Sequence, residues 1–134
     1  FLFLADRSLL VEEVIQPNLE KGMTVICDRF NDSTIAYQHG IDVSVEDLCN
    51  LASHQLQPDV TFYLDLPVDI AQKRICNKTP DRIEADGAQR QERVLNAYRA
   101  LGKKHKRIIT LDATQTAEDL ISLALNQLKQ HEFI

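Results

Sequence analysis

Apolar positions along the chain switch repeatedly between helical spacing and short continuous runs. From Phe3 to Leu19, the residues Leu4, Leu9, Leu10, Val14 and Leu19 recur as one helix face. Pro17 is expected to kink or end that helix, and Lys21-Gly22 to stop it. The run TVIC, residues 24–27, then reads as a short buried strand. Ser33 to Gln38 reads as a short helix opened by a hydroxyl. SVEDLCNLASHQL begins with Ser44 and Asp47 in a capping pattern and carries Val45, Leu48, Leu51, Ala52 and Leu56 at helical spacing. VTFYLDL, rich in β-branched and aromatic residues, predicts a strand, and Pro67-Val68-Asp69 starts the helix VDIAQKRICNK. Residues 77–88, with Pro80 and Gly87, lack periodicity and read as a mobile loop. QRQERVLNAYRALGKK returns to helix, RIITLDA to strand, and TAEDLISLALNQLKQ to a helix capped by Thr116 and Asp119. Strands separated by helices imply parallel pairing through crossovers, so the expected class is α/β.

Composition narrows what such a chain does. With 134 residues, 44% hydrophobic and 26% charged, it reads as one globular unit. A net charge of −5 lacks the clustered positive charge that grips a nucleic-acid backbone, although a few local arginines suffice for a small anion. Cys27, Cys49 and Cys76 are odd in number and form no C-x-x-C pair, which fits a reducing, cytoplasmic setting better than a disulfide framework. Cys27 is expected in the core of its strand. The apolar start stops at Asp6-Arg7, so neither a signal peptide nor a membrane span is expected, and without an initiator Met the chain is expected to begin inside a gene product.

The chemistry concentrates at Asp28-Arg29, where an apolar run ends on a charged pair. Open α/β sheets build ligand sites at strand C-termini, and Arg grips a phosphate through paired hydrogen bonds while an adjacent Asp orients it or binds metal-bound water. The competing reading is a surface ion pair. Arg7, Thr34, Tyr37 and Gln38 favour a site, since Thr34 and Gln38 lie four apart on one helix face, suited to reading a base edge. The histidines show no H-E-x-x-H spacing, and KKHKR, residues 103–107, reads as basic residues closing a helix C-terminus.

The ordered segments FLADR, DRFNDSTIAYQ, PDVTFYLDLP, DRIE and LDATQ resemble the motifs of bacterial thymidylate kinases, which transfer the γ-phosphate of ATP to dTMP. The resemblance implies a P-loop nucleoside monophosphate kinase-like three-layer α/β fold. The strands here would be the third, fourth and fifth of a parallel sheet ordered 2-3-1-4-5, in a single partial kinase domain over residues 1–134 with a lid near 77–88. It implies that Phe3 stacks on thymine and that Arg7 and Arg29 hold the dTMP phosphate. Asp28 would organise the Mg²⁺ and phosphate end, Ser33 and Thr34 would approach the base, and Tyr37 and Gln38 would line the sugar side. Arg74 and Arg82 would offset charge on the transferred group, and Asp112, Ala113, Thr114 and Gln115 would wall the adenine of ATP. A homodimer is implied for the intact protein. The family's G-x-x-x-x-G-K-[ST] loop has no counterpart in these 134 residues, so the chain is expected to be inactive alone. A non-catalytic nucleotide-binding remnant and a related deoxynucleoside kinase are the alternatives.

Overall fold

A computed structural model describes residues 2–38, 45–52, 54, 56–75, 87–131 and 133. The chain forms two compact units, Phe1–Asp59 and Val60–Ile134.

The first unit is helical. α1 (Leu2–Leu10) runs through a π-helical turn (Val11–Ile15) into α2 (Gln16–Glu20). Pro17 therefore neither ends nor simply kinks the helix: it sits in the first turn of α2 just after the π-turn. The reason is hydrogen-bond accounting. Pro17 has no N–H to give the carbonyl four residues back, and the backbone widens ahead of it so that Gln16 N–H reaches the Val11 carbonyl. The Asn18 side-chain amide caps the Val14 carbonyl at 2.6 Å. Val11 and Ile15 carry the buried face. The stop at Gly22 is as expected: φ is +74°, Gly22 N–H bonds Leu19 O at 2.8 Å, and Met23 N–H bonds Asn18 O at 3.0 Å. This double closure is a Schellman motif, which glycine enters without a Cβ penalty.

Residues 24–27 are not a strand. They pair with no strand among the described residues, Ile26 is 94% exposed and Cys27 is exposed rather than core. A β-prone run becomes a strand only when a neighbour takes its backbone groups, and no described neighbour does. α3 (Asn31–Tyr37) begins two residues before Ser33, and its N-cap is Phe30, which makes no side-chain capping bond. Ser33 is therefore in the first turn, its N–H on the Phe30 carbonyl at 3.1 Å. α4 (Val45–Ala52) is shorter than its periodicity predicted, and the expected cap Ser44 lies outside the described residues.

The second unit carries the sheet. β1 (Thr61–Asp65) and β2 (Ile108–Asp112) pair in parallel with Thr61 opposite Ile108 and Asp65 opposite Asp112. Between them come α5 (Val68–Ile75) and α6 (Gly87–Lys104), the connection that a parallel pair requires. α6 starts at Gly87, inside the segment expected to be loop; residues 76–86, including Cys76 and Arg82, lie outside the described residues. Ala97 and Leu101 of α6 bury against the sheet with Ile108, Leu111 and Ala113. Tyr63 stacks on Tyr98 at 4.9 Å between ring centres, and its hydroxyl donates to Asp65, which also takes a forked ion pair from Arg99. Burial, with the Asp65 charge, pushes the Tyr63 phenol well above its ordinary value. α7 (Ala117–Gln130) follows, capped as expected: Asp119 N–H donates to Thr116 Oγ1 at 3.2 Å and Thr116 Oγ1 donates back to Asp119 at 2.7 Å. Lys103 and Lys104 occupy the last turn of α6, as the helix-dipole reading requires.

Candidate nucleotide site

The expected acceptor-side residues fall in the first unit and the expected donor-side residues in the second. Arg29 has a left-handed backbone, φ +61°, in the turn between residues 24–27 and α3. A side chain there costs about 1 kcal/mol or more, and such strain is retained at ligand sites. Asp28 and Arg29 are exposed, and the Arg29 guanidinium lies 5.9 Å from the centre of the Tyr37 ring, within cation–π range. Arg29 and Tyr37 are thus brought together, as a shared pocket requires.

Arg7 is held differently. From the middle of α1 it reaches Phe30, its guanidinium 4.8 Å from the ring centre, and its Nη1 donates to Asn31 Oδ1 at 3.4 Å. Asp32 and Cys49 are both buried; burial pushes the Cys49 thiol up, opposed by the nearby Arg7 charge and a hydrogen bond with Thr34 and reinforced by the Asp32 charge. Arg7 and Thr34 therefore share one neighbourhood. Phe3 sits one turn before Arg7 on α1 and is 70% exposed, a ring available for stacking. Gln38 closes α3, its N–H on the Thr34 carbonyl at 3.1 Å, so the pair stands on one face as the spacing predicted.

Sequence reading missed Phe30, Asn31, Asp32 and Cys49. The first three lie inside DRFNDST but were passed over for their neighbours. Cys49 lies four residues after Val45 and three before Ala52, a helical spacing that could have placed it on the packed face.

In the second unit the structure joins Arg74 to the turn after β2: Arg74 Nη1 donates to the Ala113 carbonyl at 3.0 Å. Asp112 organises that turn by accepting from Thr114 N–H at 2.9 Å and Thr114 Oγ1 at 2.7 Å, which holds its carboxyl below the ordinary 3.8. Gln115 N–H bonds the Asp112 carbonyl at 3.3 Å. A depressed carboxylate stabilises the fold above its unfolded value, and that contribution disappears as pH falls through the folded value. Thr114→Val keeps the backbone donor and deletes the hydroxyl, so the Asp112 carboxyl should move up towards 3.8. A carboxyl ¹³C titration by NMR reads this directly, and an unmoved midpoint contradicts it.

No group of three or more metal-ligating side chains occurs among the described residues. Asp28 offers one exposed carboxylate, which suits Mg²⁺, an ion held by one or two carboxylates with water and substrate phosphates. No described helix is long and apolar enough to cross a membrane.

A parallel strand pair joined through two helices, with a third helix following it, defines an α/β unit. The family model described as thymidylate kinase matches residues 1–123, and the chain belongs to that family. It is 39% identical over 134 residues to a thymidylate kinase of Thermosipho africanus, covering 97% of this chain and 67% of that protein. It is 41% identical over 125 residues to one of Thermosipho melanesiensis, covering 90% and 63%. With a thymidylate kinase of Chlorobium chlorochromatii it shares 42% identity over 136 residues, covering 89% and 61%. The chain thus spans about two thirds or less of these relatives' lengths.

Proposed function

We propose that the chain supplies the dTMP-binding side and the adenine wall of a kinase that transfers the γ-phosphate of ATP to dTMP, giving dTDP for DNA synthesis. The observation that carries this is Arg29: a strained, exposed arginine beside Tyr37, directly after Asp28. In this reading the two units form one kinase domain, β1 and β2 are the fourth and fifth strands of the 2-3-1-4-5 sheet, and residues 24–27 become its third strand when a neighbour pairs with them. Arg29 binds the dTMP phosphate, with Arg7 as the second cation. Phe3 stacks on thymine, Ser33, Thr34 and Gln38 face the base, and Tyr37 lies against the sugar. Asp28 holds the Mg²⁺ end, and the ion supplies charge neutralisation to the phosphates. Arg74, whose guanidinium also donates to Ala113 of the adenine wall formed by residues 112–115, and Arg82 of the lid offset charge on the transferred phosphoryl group. The working protein is a cytoplasmic homodimer with no role in nucleic-acid or membrane binding.

Calorimetric titration tests the substrate class. With two arginines directed at a phosphate, dTMP should bind the chain at least about tenfold tighter than thymidine, the difference of one charge-assisted hydrogen bond. Equal affinities would favour the deoxynucleoside kinase, and binding of neither would remove the assignment.

A further inference from the structure

Arg7 is half-buried in the first unit, and the guanidinium contacts it makes with Phe30 and Asn31 come from residues with no assigned role. Phe30 packs against the guanidinium at 4.8 Å, which fixes the plane of the group. Asn31, 1% exposed at the start of α3, accepts from Nη1 at 3.4 Å, which fixes its rotation within that plane. What remains is the opposite edge, and there the Nε–H is buried with no hydrogen-bond partner among the described residues. A buried donor on a charged group is costly to leave unpaired, so an edge held in this condition calls for an acceptor that arrives later.

We infer that Phe30 and Asn31 are positioning residues that lock Arg7 with its Nε edge turned towards an oxygen of bound dTMP. The inference rests on the proposed function and adds two residues to it. Neither touches substrate: Phe30 acts through the plane of the guanidinium and Asn31 through its rotation. Because five donors on a flexible stem would otherwise share many orientations, pre-setting one edge removes entropy loss from the binding step.

The test follows the Arg Nε–H resonances of the full 134-residue chain by ¹H–¹⁵N NMR, with Arg7 assigned by its disappearance in Arg7→Lys. In the unchanged chain the Arg7 Nε–H should exchange slowly with solvent and shift when dTMP is added. Phe30→Leu and Asn31→Ala should each speed that exchange and weaken dTMP binding by about fivefold to tenfold, the scale of one net hydrogen bond or cation–π contact. Asn31→Asp, which keeps an acceptor oxygen, should retain slow exchange. If Asn31→Ala loses its dispersed amide spectrum, Phe30→Leu, at a half-buried position, decides alone. Unchanged Nε–H exchange and unchanged affinity in a folded Phe30→Leu chain would overturn the positioning role even while dTMP still binds. If dTMP shifts no resonance of the unchanged chain, the substrate assignment fails instead, and the exchange rates still report on the brace.

Discussion

The 134 residues alone should form no dTDP from dTMP, ATP and Mg²⁺. Phosphoryl transfer needs little covalent help from a protein. It needs the donor phosphates placed in line with the acceptor and their charge offset. Placement of this kind is worth about 7–11 kcal/mol, and in P-loop kinases the β- and γ-phosphates are placed by the backbone amides and Lys of a G-x-x-x-x-G-K-[ST] loop. The chain's four glycines, Gly22, Gly40, Gly87 and Gly102, offer no such sequence. In the proposed reading the arginines bind the acceptor phosphate or offset charge on the transferred group, and none of them replaces the amides and Lys that place the donor phosphates. A coupled assay on the purified chain, beside a longer form that includes a phosphate-binding loop, separates the readings. Activity confined to the longer form supports the kinase, while a longer form that binds dTMP yet remains inactive supports the non-catalytic remnant. Metal-dependent dTDP formation by the 134 residues themselves would refute the expectation.

What could be read from sequence, and what could not, follows from how local each determinant is. The Thr116–Asp119 cap, the Gly22 stop and the β1–β2 strands were legible because each is decided within a few residues by side-chain chemistry or by β-propensity. The fate of residues 24–27 was not, since the same apolar run is strand or coil according to whether a partner takes its backbone groups. The Pro17 expectation failed for a related reason: the helix absorbs the missing N–H by widening through Val11–Ile15, an answer available only from the backbone. At the site, Arg29 was legible as the charged end of an apolar run and Tyr37 as a residue just downstream, and the two are brought together. The bracing of Arg7 by Phe30 and Asn31 spans 23 or more positions in sequence and has no periodic signature. For Arg82 the sequence is the only guide, because it lies outside the described residues.

The larger single-residue effect belongs to Arg29. In a full-length protein carrying this sequence, Arg29→Ala should lower kcat/KM for dTMP by about 10²- to 10³-fold, the loss typical of deleting one pre-aligned electrostatic donor. Two variants at this position distinguish a functional arginine from a surface ion pair. Alanine removes the guanidinium but keeps a Cβ at φ +61°, so the backbone strain stays. Glycine removes both, and relief of that strain is worth roughly 1 kcal/mol. If Arg29 is held in this conformation for phosphate binding, both variants lose activity to the same extent, while Arg29→Gly unfolds at higher denaturant than Arg29→Ala. Steady-state kinetics and urea titration of the pair therefore move in separate directions: catalysis follows the side chain, stability follows the backbone. Near-wild-type kcat/KM in either variant would return Arg29 to the role of a surface charge and leave its strained backbone without a functional cause.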